Sequence, residues 1–235
     1  MNGKKSALAF ILGMVFVSRL AIADGLQVTP VNLTLQQDQR AEGIWLSNTG
    51  SNPINAQVRV FHWSQSDYGD KLAASQGLVI SPPMLTLAPG GRQLIRVIRT
   101  GPPPATEDAY RLSINELPPS VPKKNALQFV LHYSIPVFIQ PPGVADAFAK
   151  LQWQIHREDG KAFLQVSNQG DGHAQISAVS IFSASGSRKE ITPGLLGYVL
   201  PGSTMRWIIP ASAGDAGRGG KLEVTVNGKK SLQPL

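Results

Sequence analysis

Short runs of alternating apolar and polar residues follow one another along most of the chain, separated by glycine, proline, asparagine and aspartate. Alternation with a period of two places the apolar side chains on one face of a strand, and regular strand–turn spacing is typical of antiparallel sandwiches. A first series of seven runs is large enough for one immunoglobulin-sized unit. These runs are Leu26 to Leu35, Ala41 to Ser47, Ile54 to Trp63, Leu78 to Ile80, Gln93 to Ile98, Tyr110 to Leu117 and Leu127 to Ile139.

A second series begins after the turn-forming sequence Pro141-Pro142-Gly143. Its runs are Leu151 to His156, Ala162 to Ser167, Ala174 to Ser183, Leu195 to Leu200, Thr204 to Ile209 and Lys221 to Val226. The 18 prolines and 23 glycines of the chain suit this many turns. The pattern predicts an all-β protein with an N-terminal domain over 24–143 and a C-terminal domain over 144–235.

The first 23 residues have the three parts of a secretory signal. Lys4 and Lys5 are followed by an apolar stretch from Ala7 to Val17, which is too short to span a bilayer, and then by the small-x-small site Ala21-Ile22-Ala23. A buried N-terminal helix is the alternative, but it would make the basic flank and the cleavage site coincidences. We therefore expect cleavage before Asp24 and export to the periplasm.

Composition narrows the classes of function. Removing the signal lowers the lysine and arginine total to 19 against 15 acids, a net charge of +4, and the remaining basic residues are scattered without an interleaved aromatic platform. The scattered basic charge gives little support to nucleic-acid binding, and no segment after the signal is long and apolar enough to be a membrane helix. The chain has no cysteine, so the exported protein must be stabilised by core burial alone.

The run from 125 to 139 is unusually long for a strand. Its side chains Leu127, Phe129, Leu131, Tyr133 and Ile135 alternate onto one face. One interpretation is a central strand whose large face packs in the domain's own core. The other is an edge strand that pairs with a second chain, and the proline-rich, basic segment Glu116 to Asn125 directly before it favours this second interpretation.

Several motifs resemble the periplasmic chaperones of the chaperone/usher pathway, which assemble pili. They are Asn125-Ala126-Leu127-Gln128-Phe129-Val130-Leu131, Asn115-Glu116-Leu117-Pro118-Pro119, Ser81-Pro82-Pro83 with Leu87-Ala88-Pro89-Gly90, Val166-Ser167-Asn168 and Leu200-Pro201-Gly202. The resemblance implies two immunoglobulin-like β-sandwich domains in an L-shaped arrangement. It also implies partners, which are incomplete pilus subunits and an outer-membrane usher, and a mechanism of strand donation that needs no cofactor or metal.

The sequence departs from the family's pattern at the positions that bind the carboxylate of the subunit's C-terminus. The family's carboxylate-binding arginine and lysine would fall at Asn32 and Pro136, and the sequence from Tyr133 to Phe138 is similar to the archaic or alternative branch. Arg111 is a candidate replacement anchor for the carboxylate at the subunit's C-terminus. The alternative for Arg111 is a solvated arginine on a strand face.

The resemblance also implies a charged network that joins the two domains. Its acidic positions would be Glu116 and Asp215, and its arginine would fall at Gln140, so the network must be altered.

Enzyme functions find no support in the motifs. The histidines are too dispersed for a zinc-ligand pattern, and nucleophile-turn and phosphate-loop motifs are missing from the sequence. The remaining alternative is a secreted structural or adhesive β-sandwich, such as a pilus subunit or a sugar-binding module. A subunit completed by another chain would lack one strand, whereas the first series has a full set.

Overall fold

The structure, a computed structural model, describes residues 25–118, 129–143, 147–214 and 219–235. Its elements in chain order are β1 (Leu26–Thr29), β2 (Leu33–Leu35), β3 (Ala41–Asn48), β4 (Ile54–Ser66), β5 (Gly69–Ala74), β6 (Leu78–Ser81), β7 (Met84–Leu87), β8 (Arg92–Arg99), β9 (Asp108–Leu117), β10 (His132–Ile139), β11 (Leu151–Glu158), β12 (Lys161–Asn168), β13 (Ala174–Phe182), β14 (Arg188–Val199), β15 (Thr204–Ile209), α1 (Ala211–Gly214), β16 (Lys221–Val226) and β17 (Lys229–Pro234). The prediction of an all-β fold is confirmed. No helix in the described ranges has the length and apolar character needed to cross a bilayer.

The first ten strands form two sheets that enclose one core. One sheet has the order β1-β3-β8-β6, and the other has the order β2-β10-β9-β4-β5, with β7 also paired to β4. Alternate residues of both sheets point inward, which buries side chains such as Leu35, Ile44, Ile95 and Leu112 in one cluster. These strands therefore form an immunoglobulin-like sandwich, as expected for the first domain.

The first predicted run is divided by Pro30. Proline has no N–H to donate to a β-ladder, and the chain changes sheet at this point. β1 pairs antiparallel with β3, whereas β2 joins the other sheet and pairs in parallel with Val137, Phe138 and Ile139 of β10. The short β2 therefore covers only the last part of β10.

The second domain is built in the same way from the later strands. Its sheets have the orders β11-β12-β15 and β14-β13-β16-β17. Their inner faces bury a separate cluster that includes Leu164, Ile176 and Leu222. The two immunoglobulin-like domains predicted from the sequence are confirmed, whereas the short strands β5, β7 and β17 were missed because they lie within turn-rich segments.

Both domains use a buried asparagine to close a turn. In the first domain, Asn48 donates from Nδ2 to the Leu87 carbonyl at 3.0 Å and accepts from the Gly50 N–H at 2.8 Å. In the second, Asn168 donates to the Val199 carbonyl at 3.1 Å and accepts from the Gly170 N–H at 2.9 Å. The repeated device satisfies buried backbone groups at equivalent ends of the two sandwiches.

A third apolar cluster lies where the two domains meet. It consists of Trp63, Ala109 and Phe138 from the first domain with Tyr198 and Leu200 from the second. The Trp63 and Tyr198 rings meet edge to face at 5.4 Å. Aromatic contacts of this geometry stabilise by about 0.5–1.5 kcal/mol beyond area burial, so the domains are joined by packing as well as by the linker.

Candidate functional site

The apolar row predicted to bind a partner changes from exposed to buried along its length. Phe129 is 79% exposed and Leu131 is 39% exposed, while Tyr133 is partly buried and Ile135 is only 4% exposed. Because alternate side chains of an extended segment share a face, the row starts in solvent and ends among the core residues of the first domain. The structure thus places Ile135 in the domain's own core, and Leu127 lies outside the described residues.

The long predicted strand is also shorter in the structure, where β10 begins at His132. In the register with β9, His132 lies opposite Asn115, so Phe129 would lie opposite Pro118. Pro118 has no N–H and cannot continue the ladder. The preceding residue Leu131 is still attached, because its carbonyl accepts the Glu116 N–H at 2.9 Å and its own N–H donates to Glu116 Oε2 at 3.2 Å.

Tyr133 marks the boundary between the exposed and buried parts of the row. Its hydroxyl donates to the Leu26 carbonyl at 2.6 Å, and its ring packs against the core cluster. The exposed Phe129 and Leu131 therefore extend from a point that is tied to β1. Val130, on the other face, is 48% exposed.

One edge of β10 is open over most of its length. Within the described part of the chain, β2 pairs only with residues 137–139 of β10, and Gln140 adds one more bond to the Leu35 carbonyl at 2.9 Å. The other edge is paired with β9 along the whole strand. Residues 129–136 therefore present a sheet edge to which another strand can be added.

Arg111 lies on the outer face of the same sheet, close to the second domain. Its guanidinium carbon sits 3.7 Å above the Trp63 ring and 5.2 Å from the Tyr198 ring. Burial lowers the pKa of Arg111, while the charges of Asp70 and Tyr198 act in the opposite direction. The group remains a cation, and it has no salt-bridge partner among the residues the structure describes.

The register brings Arg111 to the level of the two positions where the resemblance implied basic residues. Arg111 is the direct cross-strand partner of Pro136. Leu33 pairs with Val137, so Asn32 precedes it at the level of Pro136 on the other side of β10. Opposed Cβ atoms on neighbouring strands are about 5 Å apart, so residue 111 lies beside residue 136, while its guanidinium leans toward Trp63 of β4.

The contact between the domains is built around a different acid from Glu116. Glu116 is at the far end of β9, about 30 Å along the strand from its domain-facing end, and bonds to Leu131 instead. Asp215 lies outside the described residues. The carboxylate of Glu107 is buried between the domains and accepts from the His173 N–H at 2.7 Å and from Gln140 Nε2 at 2.8 Å.

Histidine and phenylalanine complete this interdomain group. His173 Nδ1 lies 2.9 Å from Glu107 Oε1, and the His173 ring stacks on Phe138 at a centroid distance of 3.5 Å and an angle of 2°. Gln140 thus occupies the expected arginine position, where a neutral amide instead of a guanidinium donates to the Glu107 carboxylate. Sequence reasoning missed Glu107 because acids stand at both ends of β9, with Glu107 directly before its first residue and Glu116 next to its last, and only the topology shows which end meets the second domain.

The comparisons with known proteins agree with this architecture. Residues 25–145 match the family described as pili and flagellar-assembly chaperone, PapD N-terminal domain. The probable fimbrial chaperone SfmC of Escherichia coli K12 is 23% identical over 244 residues, which cover 100% of this chain and 97% of SfmC.

Solved structures show the same fold. A chain of the CsuC–CsuE chaperone–tip adhesion subunit pre-assembly complex, from archaic chaperone-usher Csu pili of Acinetobacter baumannii, matches with TM-score 0.70 and 26% identity, covering 88% of this chain and 96% of that one. The YadV chaperone matches with TM-score 0.67 and 19% identity over 89% of this chain and 99% of its own.

Two immunoglobulin-like sandwiches, a partly open strand edge and a cation, Arg111, on the neighbouring strand are the features found in the described residues. The family match covers more than half of the residues, and the chain therefore belongs to the family of pili and flagellar-assembly chaperones. The resemblance predicted from the sequence is confirmed. Membership of a chaperone family implies a role other than catalysis.

Proposed function

We propose that this protein captures incompletely folded pilus subunits by adding the open edge of β10 and the residues before it to the subunit's sheet. The observation that carries the proposal is the single apolar row that runs from the domain core at Ile135 out into solvent at Leu131 and Phe129. A subunit that lacks a strand has a groove of matching character. Leu127 and Tyr133 belong to the same row and extend the proposed contact at its two ends.

Burial supplies the free energy for this capture. Each large apolar side chain moved from water into a groove stabilises by about 1.5–3 kcal/mol, and main-chain hydrogen bonds along the edge fix the register. Ile135 contributes indirectly, because it holds the inner end of the row in the chaperone's own core. When the subunit later receives a segment that packs its groove better, the chaperone is displaced without any nucleotide.

Arg111 is the proposed anchor for the subunit's C-terminal carboxylate. Its guanidinium is stacked on Trp63 of β4, and the residue itself lies on β9 across from Pro136, one strand in from the open edge of β10. A carboxylate at this place would receive charge-assisted hydrogen bonds, which contribute about 1.5–3 kcal/mol. The anchor would thereby fix the register of the subunit strand along β10.

The remaining parts of the proposal concern location and pathway. The signal-like sequence over 1–23 supports export and cleavage before Asp24, and the family is periplasmic. We infer that the loaded chaperone delivers its subunit to an outer-membrane usher and that it acts without a cofactor. The similarity to the Csu complex supports the archaic branch. Family membership favours this function over a structural or adhesive sandwich.

The test compares two neighbouring residues on opposite faces. Phe129→Asp should leave the melting temperature unchanged, because Phe129 touches little of its own domain, but it should abolish recovery of a co-expressed exported subunit from the source organism. Val130→Asp is the matched control, and it should still recover the subunit. Each variant is assayed by thermal unfolding and by affinity purification of the complex.

An unfolded Phe129→Asp protein, or a folded one that recovers the subunit at the level of wild type, would contradict the proposal. Equal loss of capture in Val130→Asp would show that the effect is not specific to the donated face.

A further inference from the structure

The hairpin formed by β4 and β5 extends beyond its own sandwich and contacts the second domain. β4 has 13 residues, compared with a common strand length of about 5–6, and its last part pairs only with β5. Asp67 and Tyr68 form a two-residue turn with φ values of 52° and 60°. Such a turn matches the twist of a hairpin, but it is normally made by glycine or asparagine.

A tyrosine at positive φ is unfavourable and needs a compensating contact. Tyr68 has one, because its backbone forms a bridge to Met205 of β15. The guanidinium of Arg206 lies 3.9 Å above its ring and is itself held by Gln165 at 2.7 Å. The tip of the hairpin is thus stacked against a fixed surface of the second domain.

Gln65 makes a second connection just before the turn. Its Nε2 donates to the Tyr198 carbonyl at 3.0 Å, and its Oε1 accepts the Leu200 N–H at 2.8 Å. The same Nε2 also donates to Asp70 Oδ1 at 2.9 Å. One side chain therefore binds the backbone of the second domain in the way that a neighbouring strand would.

The segment held by Gln65 carries the ring that flanks Arg111. Tyr198 packs edge to face on Trp63, and the Arg111 guanidinium lies against both rings. Asp70, the carboxylate that acts on Arg111 electrostatically, is bonded to Gln65 as well. Gln65 thus binds both the segment whose ring lies against this cation and the carboxylate that acts on it electrostatically.

We propose that the β4–β5 hairpin is an interdomain arm and that Gln65 is a positioning residue, which orients the Arg111 guanidinium by fixing the Tyr198 segment against it. The proposal rests on the proposed function insofar as Arg111 binds the subunit carboxylate. The arm makes the second domain part of the capture site although the donated strand belongs wholly to the first.

The arm itself is tested in the free protein, without a subunit. Gln65→Leu removes the hydrogen bonds and keeps the approximate size, and Gln57→Leu, eight residues earlier on the same strand and face, is the matched control. The two domains of wild type and of Gln57→Leu should tumble with one rotational correlation time in ¹⁵N relaxation. Because the Trp63 cluster and Glu107 still join the domains, Gln65→Leu should make the correlation times of the two domains differ measurably without becoming independent, and Tyr68→Gly should give a smaller change in the same direction.

The positioning claim is read from the Arg111 side chain. The Arg111 Nε–H resonance, assigned by its loss in Arg111→Gln, should be shifted upfield by the two rings and should move toward the random-coil position in Gln65→Leu. An unchanged resonance and a single correlation time in folded Gln65→Leu would overturn the proposal, whatever the result for subunit capture.

A double-mutant cycle links the arm to capture. Gln65→Leu should weaken binding of a co-expressed subunit about three- to tenfold, and the same change in the Arg111→Gln background should have almost no additional effect. Additive losses would show that Gln65 acts only on general stability and would overturn the positioning role. If Arg111→Gln alone binds normally, the proposed anchor fails, while the relaxation and resonance data still decide whether the arm exists.

Discussion

The two ends of the β10 segment carry the same alternation of apolar side chains but lie in different surroundings. At the inner end, Ile135 and Val137 face the opposite sheet and are buried, and β2 covers the strand edge from Val137 onward. At the outer end, Phe129 and Leu131 are exposed and the edge is open. The comparison shows that one hydrophobic pattern can serve two cores, one within the protein and one that a partner completes.

The largest expected effect comes from placing a charge at the inner end. Ile135→Asp should unfold the first domain. The change loses about 1.5–3 kcal/mol of apolar burial and adds the free-energy cost of burying an unpaired carboxylate, and together these consume much of the roughly 5–15 kcal/mol that stabilises a domain. Circular dichroism melting measures the result. A folded Ile135→Asp protein with wild-type stability would show that this end is not core and would remove the contrast with Phe129.

A smaller effect is expected from removing the proposed carboxylate anchor, Arg111, on the strand next to β10. Arg111→Gln should weaken subunit binding by one to two decades, because it removes charge-assisted hydrogen bonds of about 1.5–3 kcal/mol. Titration of the purified variant with refolded subunit measures the affinity. Arg59→Gln, on the neighbouring strand and the same face, is the control, because Arg59 is exposed and stacks only loosely on Phe61 at 5.6 Å. Equal affinities for Arg111→Gln and wild type would move the anchor elsewhere.

The smallest effect is expected at the boundary residue. Tyr133→Phe keeps the ring and removes only the hydrogen bond to the Leu26 carbonyl, so stability should fall by about 0.5–1.5 kcal/mol. For a domain of this size that corresponds to a loss of roughly 4–8 °C in the melting temperature per kcal/mol. Subunit capture should persist. A complete loss of capture would place Tyr133 in the partner's groove instead of at its rim.

The sequence was sufficient for the fold class and for the identity of the exposed row, but it could not show where the row becomes core. Strand alternation puts Phe129 and Ile135 on one face equally well, and only the end of β2 and the position of Pro118 separate them. The same limit applies to the acids. Glu107 and Glu116 lie at opposite ends of β9, and the choice of interdomain partner depends on which end of the strand meets the second domain.

The interdomain arm was beyond sequence reasoning for a similar reason. Ser66-Asp67-Tyr68-Gly69 has turn-forming residues, but its contacts with Met205 and Arg206 lie more than a hundred positions away in the chain. Pairings at such separation are set by tertiary packing and not by local propensity. Arg111 could be proposed from the sequence because the resemblance implied basic residues at Asn32 and Pro136, where this chain has none. The strand register then places Arg111 across from Pro136.

Amide hydrogen exchange across residues 129–139, measured in the free protein and in its complex with a subunit, tests strand donation most directly. In the free protein, the amides over 129–134 that point to the open edge should exchange fast, and those over 137–139, which lie between β9 and β2, should exchange slowly. Complex formation should strongly slow exchange of the edge-facing amides over 129–134 and leave 137–139 almost unchanged. If exchange over 129–134 stays fast in a stable complex, β10 is not the strand that the partner receives.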